Sequence, residues 1–161
     1  MPSTEEQYVL FDAGVFIGAL LTGDPRHSEA RPLVEAARRG DILACTTTGI
    51  LSEVYAALTW QQAQPPHNPA QAAEAVGLLI EPPSMIRILP GNEEVALRML
   101  ELAASHQLTA RRVHDARHAA AAIVSGIETV YTYDVDDWKV FEADGLNIAG
   151  PVSTLARLGR S

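Results

Sequence analysis

The sequence predicts an α/β domain in which a parallel sheet is wrapped by helices. Two observations predict it. Apolar runs of four or five residues alternate along the chain with longer stretches that carry helical spacing. Acidic residues stand where two of those apolar runs end, which is where ligands gather in open parallel sheets.

The elements follow in order. Tyr8-Val9-Leu10-Phe11 is a short apolar run that ends at Asp12. Val15, Phe16, Ala19 and Leu20 then have helical spacing, and Gly23-Asp24-Pro25 breaks it. A second helix is expected over 26–39, with Gly40 at its stop. Residues 41–45 read as the next buried strand, and Thr46-Thr47-Thr48 supplies cap candidates for a helix over 49–62. Gln64-Pro65-Pro66-His67-Asn68-Pro69 is a turn between helices, too short to be a linker. A helix over 70–80 precedes Pro82-Pro83, and 85–89 is strand-like. Asn92 caps a helix that runs to His106. The next helix starts near His114 and ends at Ser125, before Gly126. A strand over 129–133 leads to Asp134, followed by a short helix over 135–141, a last strand over 146–149 and a terminal helix over 152–158. The sequence contains no repeat, low-complexity segment or interdomain linker.

A length of 161 residues predicts one domain spanning the chain, with residues 1–7 as a flexible tail. The 47% hydrophobic content supplies a core that needs no staples. Cys45 is the only cysteine, so no intrachain disulfide can form, which fits a reducing cytosol. It follows Ile42-Leu43-Ala44 and reads as a small buried hydrophobe rather than a catalytic thiol. The first seven residues carry no basic or apolar signal segment, and the longest apolar stretch, 15–21, is too short to span a bilayer. The expectation is a cytoplasmic protein with no membrane association.

Acidic residues outnumber basic ones by 20 to 12, and Lys139 is the sole lysine. A net charge of −8 argues against non-specific, charge-driven nucleic-acid binding. It does not exclude a nuclease, because a site built of carboxylates recruits cations that reverse the local field.

Four acids carry the functional reading. Asp12 stands at the carboxyl end of the first strand and Asp134 at the end of a later one. Each could equally be the N-cap of the helix that follows. Asp134-x-x-Asp137 could likewise be a cap with a second acid in a first helical turn. Asp115 opens a helix whose inward stripe continues through Ala119, Ala122 and Ile123, and it too could be a cap. Glu53 lies inside a helix and cannot cap it. Its neighbours three and four residues away are Gly49, Ile50, Ala56 and Ala57, so it is expected to face the sheet and to need a partner, a metal ion or an arginine. Three or four carboxylates with open positions suit one or two hard divalent ions, which orient water for in-line attack on a phosphate.

These pieces resemble the PIN-domain nucleases, and specifically the VapC-type toxins of bacterial toxin–antitoxin pairs. The resemblance rests on Leu10-Phe11-Asp12 before an apolar helix and on Ser52-Glu53-Val54 within a helix. It rests also on Val113-His114-Asp115-Ala116 before an alanine run, and on Thr132-Tyr133-Asp134 followed by Asp136-Asp137-Trp138. In this order they span nearly the whole chain. The resemblance implies a three-layer α/β/α fold with a central parallel sheet of about five strands, and Mg²⁺- or Mn²⁺-dependent endonucleolytic cleavage of RNA. It implies Asp12, Glu53, Asp115 and Asp134 as the metal-binding and catalytic quartet, Asp137 as a further acid with Asp136 as its alternative, and Thr132 as a supporting hydroxyl. Trp138 stands where phenylalanine is more usual. The implied partners are an RNA (a tRNA or another structured RNA among the candidates), a cognate antitoxin, and a second copy of the chain in a homodimer.

Arg111, Arg112 and Arg117 flank Asp115 as the one basic cluster near the presumed site and are candidate substrate contacts. His118 is a candidate phosphate contact, and His114 with His118 could share a helix face, though no further zinc ligand lies nearby in sequence. Tyr55 and Trp60 read as packing or interface residues. A non-toxin nuclease of RNA processing is the nearest alternative. A phosphoacceptor receiver domain or an Asp-x-Asp phosphatase fits poorly, since Asp12 is followed by Ala13-Gly14 and no second lysine exists. A non-catalytic scaffold would not need all four acids.

Overall fold

A computed structural model describes residues 7–150, so the terminal helix and all but the last residue of the tail lie outside the described residues. The chain runs β1 (Val9–Phe11), α1 (Ala13–Leu20), α2 (His27–Arg39), β2 (Ala44–Thr46), α3 (Thr48–Thr59), α4 (Pro69–Ile80), β3 (Arg87–Ile88), α5 (Glu93–Ser105), α6 (Val113–Val124), β4 (Thr129–Tyr131), α7 (Val135–Trp138) and β5 (Asn147–Ala149). Short 3-10 turns cover Ala110–Arg112 and Lys139–Asp144.

The five strands form one parallel sheet in the order β3-β2-β1-β4-β5. Parallel crossovers are right-handed in nearly all proteins. The path β1 to β2 to β3 therefore lays α1–α4 on one face, and the return through β4 to β5 lays α5–α7 on the other. The result is the three-layer α/β/α arrangement. The contacts agree, since α1 packs on α2 and α3, and α5 packs on α6. The apolar runs are buried on both faces: Val9, Leu10, Phe11, Ala44, Cys45 and Val130 all lie in the core.

Local chemistry explains where the elements stop. Gly40 takes the left-handed conformation after α2, at φ 85°, and the amides of Gly40 and Asp41 bond back to the carbonyls of Ala37 and Ala36. This Schellman closure holds residues 40–42 on the helix, so β2 starts at Ala44 rather than at 41. Thr47 is the residue that caps α3, its hydroxyl accepting from the Ile50 amide. Asn68 and Gln71 form a reciprocal capping box at α4, and the Asn92 side chain accepts the Val95 amide at α5. The strand expected over 129–133 stops at Tyr131, because the Thr132 side chain takes the Asp134 amide and turns the chain.

Alanine sets the spacing of the second layer. Ala116, Ala119, Ala120, Ala121 and Ala122 on α6 are all buried, and small side chains let this helix approach its neighbours closely. Cys45 is buried on β2, donates to the Val9 carbonyl, and burial pushes its thiol up to about 12, so it is inert. Tyr55 and Trp60 are exposed and do not pack in the core. Among the described residues, no helix is long and apolar enough to cross a membrane.

Candidate active site

The connections leaving β1 and β4 run in opposite directions, so the carboxyl ends of these adjacent strands flank a topological switch point. Asp12 directly follows β1, and Thr132-Tyr133-Asp134 directly follows β4. The N-terminal ends of α3 and α6 come to the same edge, because α3 leaves β2 there and α6 descends from there toward β4. Sequence-distant acids are thus delivered to one place by connectivity alone.

Asp12 is buried, with 6% of its surface exposed. Its Oδ2 accepts from the Thr132 hydroxyl at 2.8 Å and from the Trp138 indole Nε1 at 3.2 Å. Thr132 Oγ1 also accepts the Asp134 amide at 2.9 Å, so one hydroxyl fixes both the Asp12 carboxylate and the turn that carries Asp134. The indole donor depends on tryptophan at 138, where a phenylalanine would have none.

Capping does not account for the acids. Asp12 and Asp134 occupy N-cap positions, but neither side chain makes a capping hydrogen bond. Asp115 is not a cap at all: α6 begins at Val113 with Arg112 at the N-cap, and Asp115 sits in the first turn. There the helix dipole favours its charge.

Glu53 differs from expectation. The buried stripe of α3 is Gly49, Ile50, Leu51, Val54 and Leu58, and Glu53 lies at its edge with 46% of its side chain exposed. Its partner is a histidine. Glu53 Oε2 lies 2.5 Å from Nε2 of His118, which is fully buried on α6. The other ring nitrogen, Nδ1, lies 3.1 Å from Thr47 Oγ1. Both nitrogens are therefore occupied, and His118 is not available as a phosphate contact. His114, one turn earlier, is exposed on the cleft, so the two histidines do not pair. Sequence reading missed the role of His118 because its partners, Thr47 and Glu53, are 71 and 65 residues away.

The acids open onto a cleft of about 750 Å³ whose walls include Glu53, Asp115, Asp134 and Asp137 together with Arg111, Arg112, His114 and Arg117. Asp136 is exposed but is not among these walls, which favours Asp137 of the two alternatives. Arg112 is already engaged: Nη2 donates to the Asp137 carbonyl at 2.7 Å, and Nε is 3.8 Å from Asp115 Oδ2. It ties α6 to the α7 turn. Arg117 lies over Gly49.

Electrostatics mark the acids as mutually repelling. Burial raises the Asp12 carboxyl above its ordinary value, and Glu53 adds to the rise, while Thr132, the Ala13 amide and His118 offset part of it. Asp115 is pushed up to about 6, first by burial and then by Asp12, with Arg112 and His118 opposing. Among the described residues, no three His, Cys, Asp or Glu side chains converge into a ready cage for an ion. The donor set still suits a hydrated hard cation, which takes one or two carboxylates and keeps several waters. A divalent charge beside Asp12 and Asp115 would relieve the burial and repulsion that raise both.

A pH prediction follows for protein held in chelator. A carboxyl raised from 3.8 to about 6 favours folding in its protonated form. Its contribution is fully present below pH 3.8 and is lost as pH rises through about 6. Asp115→Asn should remove this loss. Urea denaturation at about pH 4.5 and pH 7 measures it, and equal pH slopes in wild type and variant would refute the assignment.

Comparison with known proteins agrees with the fold. M. tuberculosis VapC20, a sarcin–ricin loop cleaving toxin, matches at 20% identity with a TM-score of 0.65, over 86% of this chain and 96% of that one. VapBC-1 from nontypeable Haemophilus influenzae matches at 17% and 0.63, over 91% and 99%. FitAcB from Neisseria gonorrhoeae matches at 18% and 0.62, over 89% and 98%. No curated protein matches the sequence. The model of the PIN domain matches residues 9–142, which include every acid described above. With that match covering most of its length, the chain belongs to the PIN domain family, a family of nucleases.

Proposed function

We propose that this protein is an Mg²⁺- or Mn²⁺-dependent endoribonuclease and the toxin of a toxin–antitoxin pair. The observation that carries the reading is the gathering of Glu53, Asp115 and Asp134 around one cleft, with the buried Asp12 close enough to repel Glu53 and Asp115, and with none of the four explained by helix capping. A divalent cation, when bound among these carboxylates, supplies Lewis-acid charge at the scissile phosphate and acidifies the attacking water. Asp12 is held for that task by Thr132 and Trp138, and Glu53 by His118. Water adds to phosphorus, the P–O3′ bond breaks, and the products carry a 5′-phosphate and a 3′-hydroxyl.

The solved similarity to a toxin that cleaves the sarcin–ricin loop supports a structured RNA as substrate. The similar folds in VapBC and FitA–FitB complexes support an antitoxin partner. A net charge of −8 suits a basic antitoxin segment. Leu97 and Leu100, exposed on α5, support a self-associating surface and hence the homodimer.

Arg111 and Arg117 line the cleft beside the acids and are proposed to meet substrate phosphates. Replacing both with alanine should raise KM for RNA about tenfold, leave kcat nearly unchanged, and flatten the salt dependence of binding by about one unit of slope per contact. An unchanged KM with a fallen kcat would move these residues into the chemistry instead.

The proposal is tested by incubating the protein with structured and single-stranded RNA in Mg²⁺, Mn²⁺ or EDTA and mapping product ends. Cation-dependent cleavage leaving 5′-phosphates is expected. Cation-independent cleavage with 2′,3′-cyclic phosphate ends would overturn it.

A further inference from the structure

Three residues of α3 and its cap are arranged around a single side chain from the opposite layer. That side chain is His118, with no exposed surface. Thr47 Oγ1 accepts the Ile50 amide at 3.0 Å and shares a hydrogen bond with His118 Nδ1, 3.1 Å away. A carboxylate only accepts, so Nε2 is the donor to Glu53 Oε2 at 2.5 Å. The ring also needs Gly49. A Cβ at that position would stand 2.9 Å from His118 Cε1, so any larger residue there displaces the imidazole.

A histidine this deep needs both nitrogens satisfied, and a purely structural one normally finds buried or backbone partners. Here the second partner is a carboxylate at the rim of the acidic cleft, nearly half exposed. A glutamate in that position has three rotatable bonds and no other reason to hold one pose. The hydrogen bond occupies one carboxylate oxygen and leaves the other available. His118 also lies on the same helix as Asp115, one turn on, so α6 fixes two of the four acids from one rigid element.

We infer that His118 is a positioning residue: held by Thr47 and admitted by Gly49, it locks the Glu53 carboxylate into the pose in which it serves the cation site. The inference rests on the proposed cation-dependent reading of that site. In this arrangement the histidine orients the carboxylate, and outer partners of this kind typically change metal affinity by 10–100-fold when removed.

The test is Mn²⁺ binding by calorimetry, without RNA, for wild type, His118→Leu, His118→Gln, Glu53→Gln and the Glu53→Gln/His118→Leu double variant. Circular dichroism and melting establish that each is folded. His118→Leu is expected to bind Mn²⁺ at least about tenfold more weakly than wild type. His118→Gln, which keeps an N–H donor near the Nε2 position, should recover most of that loss. In the Glu53→Gln background, His118→Leu should cost nothing further. The inference is overturned if folded His118→Leu binds Mn²⁺ like wild type, or if its loss is the same with Glu53 absent. Should His118→Leu not fold, His118→Asn, whose shorter amide cannot reach Glu53, takes its place with the same two outcomes. Wild-type protein that binds no Mn²⁺ overturns the cation site itself and this inference with it.

Discussion

Asp12→Asn should abolish RNA cleavage and at the same time stabilise the chelator-treated protein. Both effects come from one cause. Asp12 is the most buried of the acids and its charge is opposed by burial, yet the Thr132 hydroxyl and the Trp138 indole both donate to Oδ2 and need only an acceptor oxygen there. Asparagine offers that oxygen without the charge. It therefore keeps the hydrogen bonds and removes the desolvation cost, with a gain of about 1 kcal/mol or more, worth about 2–4 °C in melting temperature for a chain of this size. The loss of activity should be at least about 10²–10³-fold, since a neutral amide no longer attracts the cation on which transition-state charge stabilisation depends. A differential scan in EDTA and an RNA cleavage assay in Mn²⁺ check the two halves. A variant that is both less stable and inactive would show Asp12 to be structural.

Trp138→Ala should have the largest effect on stability. Trp138 is fully buried, packs edge-on against Phe141 at 5.5 Å, and donates to Asp12. Truncation of such a ring costs about 3–5 kcal/mol. That is a large part of the 5–15 kcal/mol by which a domain is typically stable. Trp138→Phe separates packing from the hydrogen bond. It retains most of the contact with Phe141 and forfeits the indole donor to a buried carboxylate, at about 1–3 kcal/mol. Urea midpoints for the two variants should fall in the order wild type, Phe, Ala. A Phe variant as unstable as Ala would mean that the donor, rather than the ring, dominates.

The fold was legible in the sequence wherever chemistry is local. The apolar runs, Gly40 after α2, and the caps Thr47 and Asn92 each act within five residues of themselves. Boundaries failed where a neighbouring closure won, as at Asp41 and Ile42, whose amides bond back to the Ala36 carbonyl of α2 instead of starting β2. Asp12, Asp115 and Asp134 were legible as a group together with Glu53, although each alone could be read as a cap, since a cap and a ligand are written with the same letter. Only the observed absence of capping bonds separates the two.

Glu53 shows the opposite limit. Its apolar neighbours pointed inward, whereas the buried stripe passes one residue to its side and its partner comes from another layer. His118 was read as a phosphate contact, and its fit against Gly49 could not be read, because the ring and the space it needs belong to helices that meet only in the folded chain.

The central claim is that Asp12 and its companions form one divalent-cation site. Melting wild type and Asp12→Asn across a Mn²⁺ titration at neutral pH tests it most directly, because a ligand that binds only the folded state raises the melting temperature with concentration. The wild-type melting temperature should climb with Mn²⁺ and that of Asp12→Asn should stay flat. An equal climb in both proteins would contradict the account.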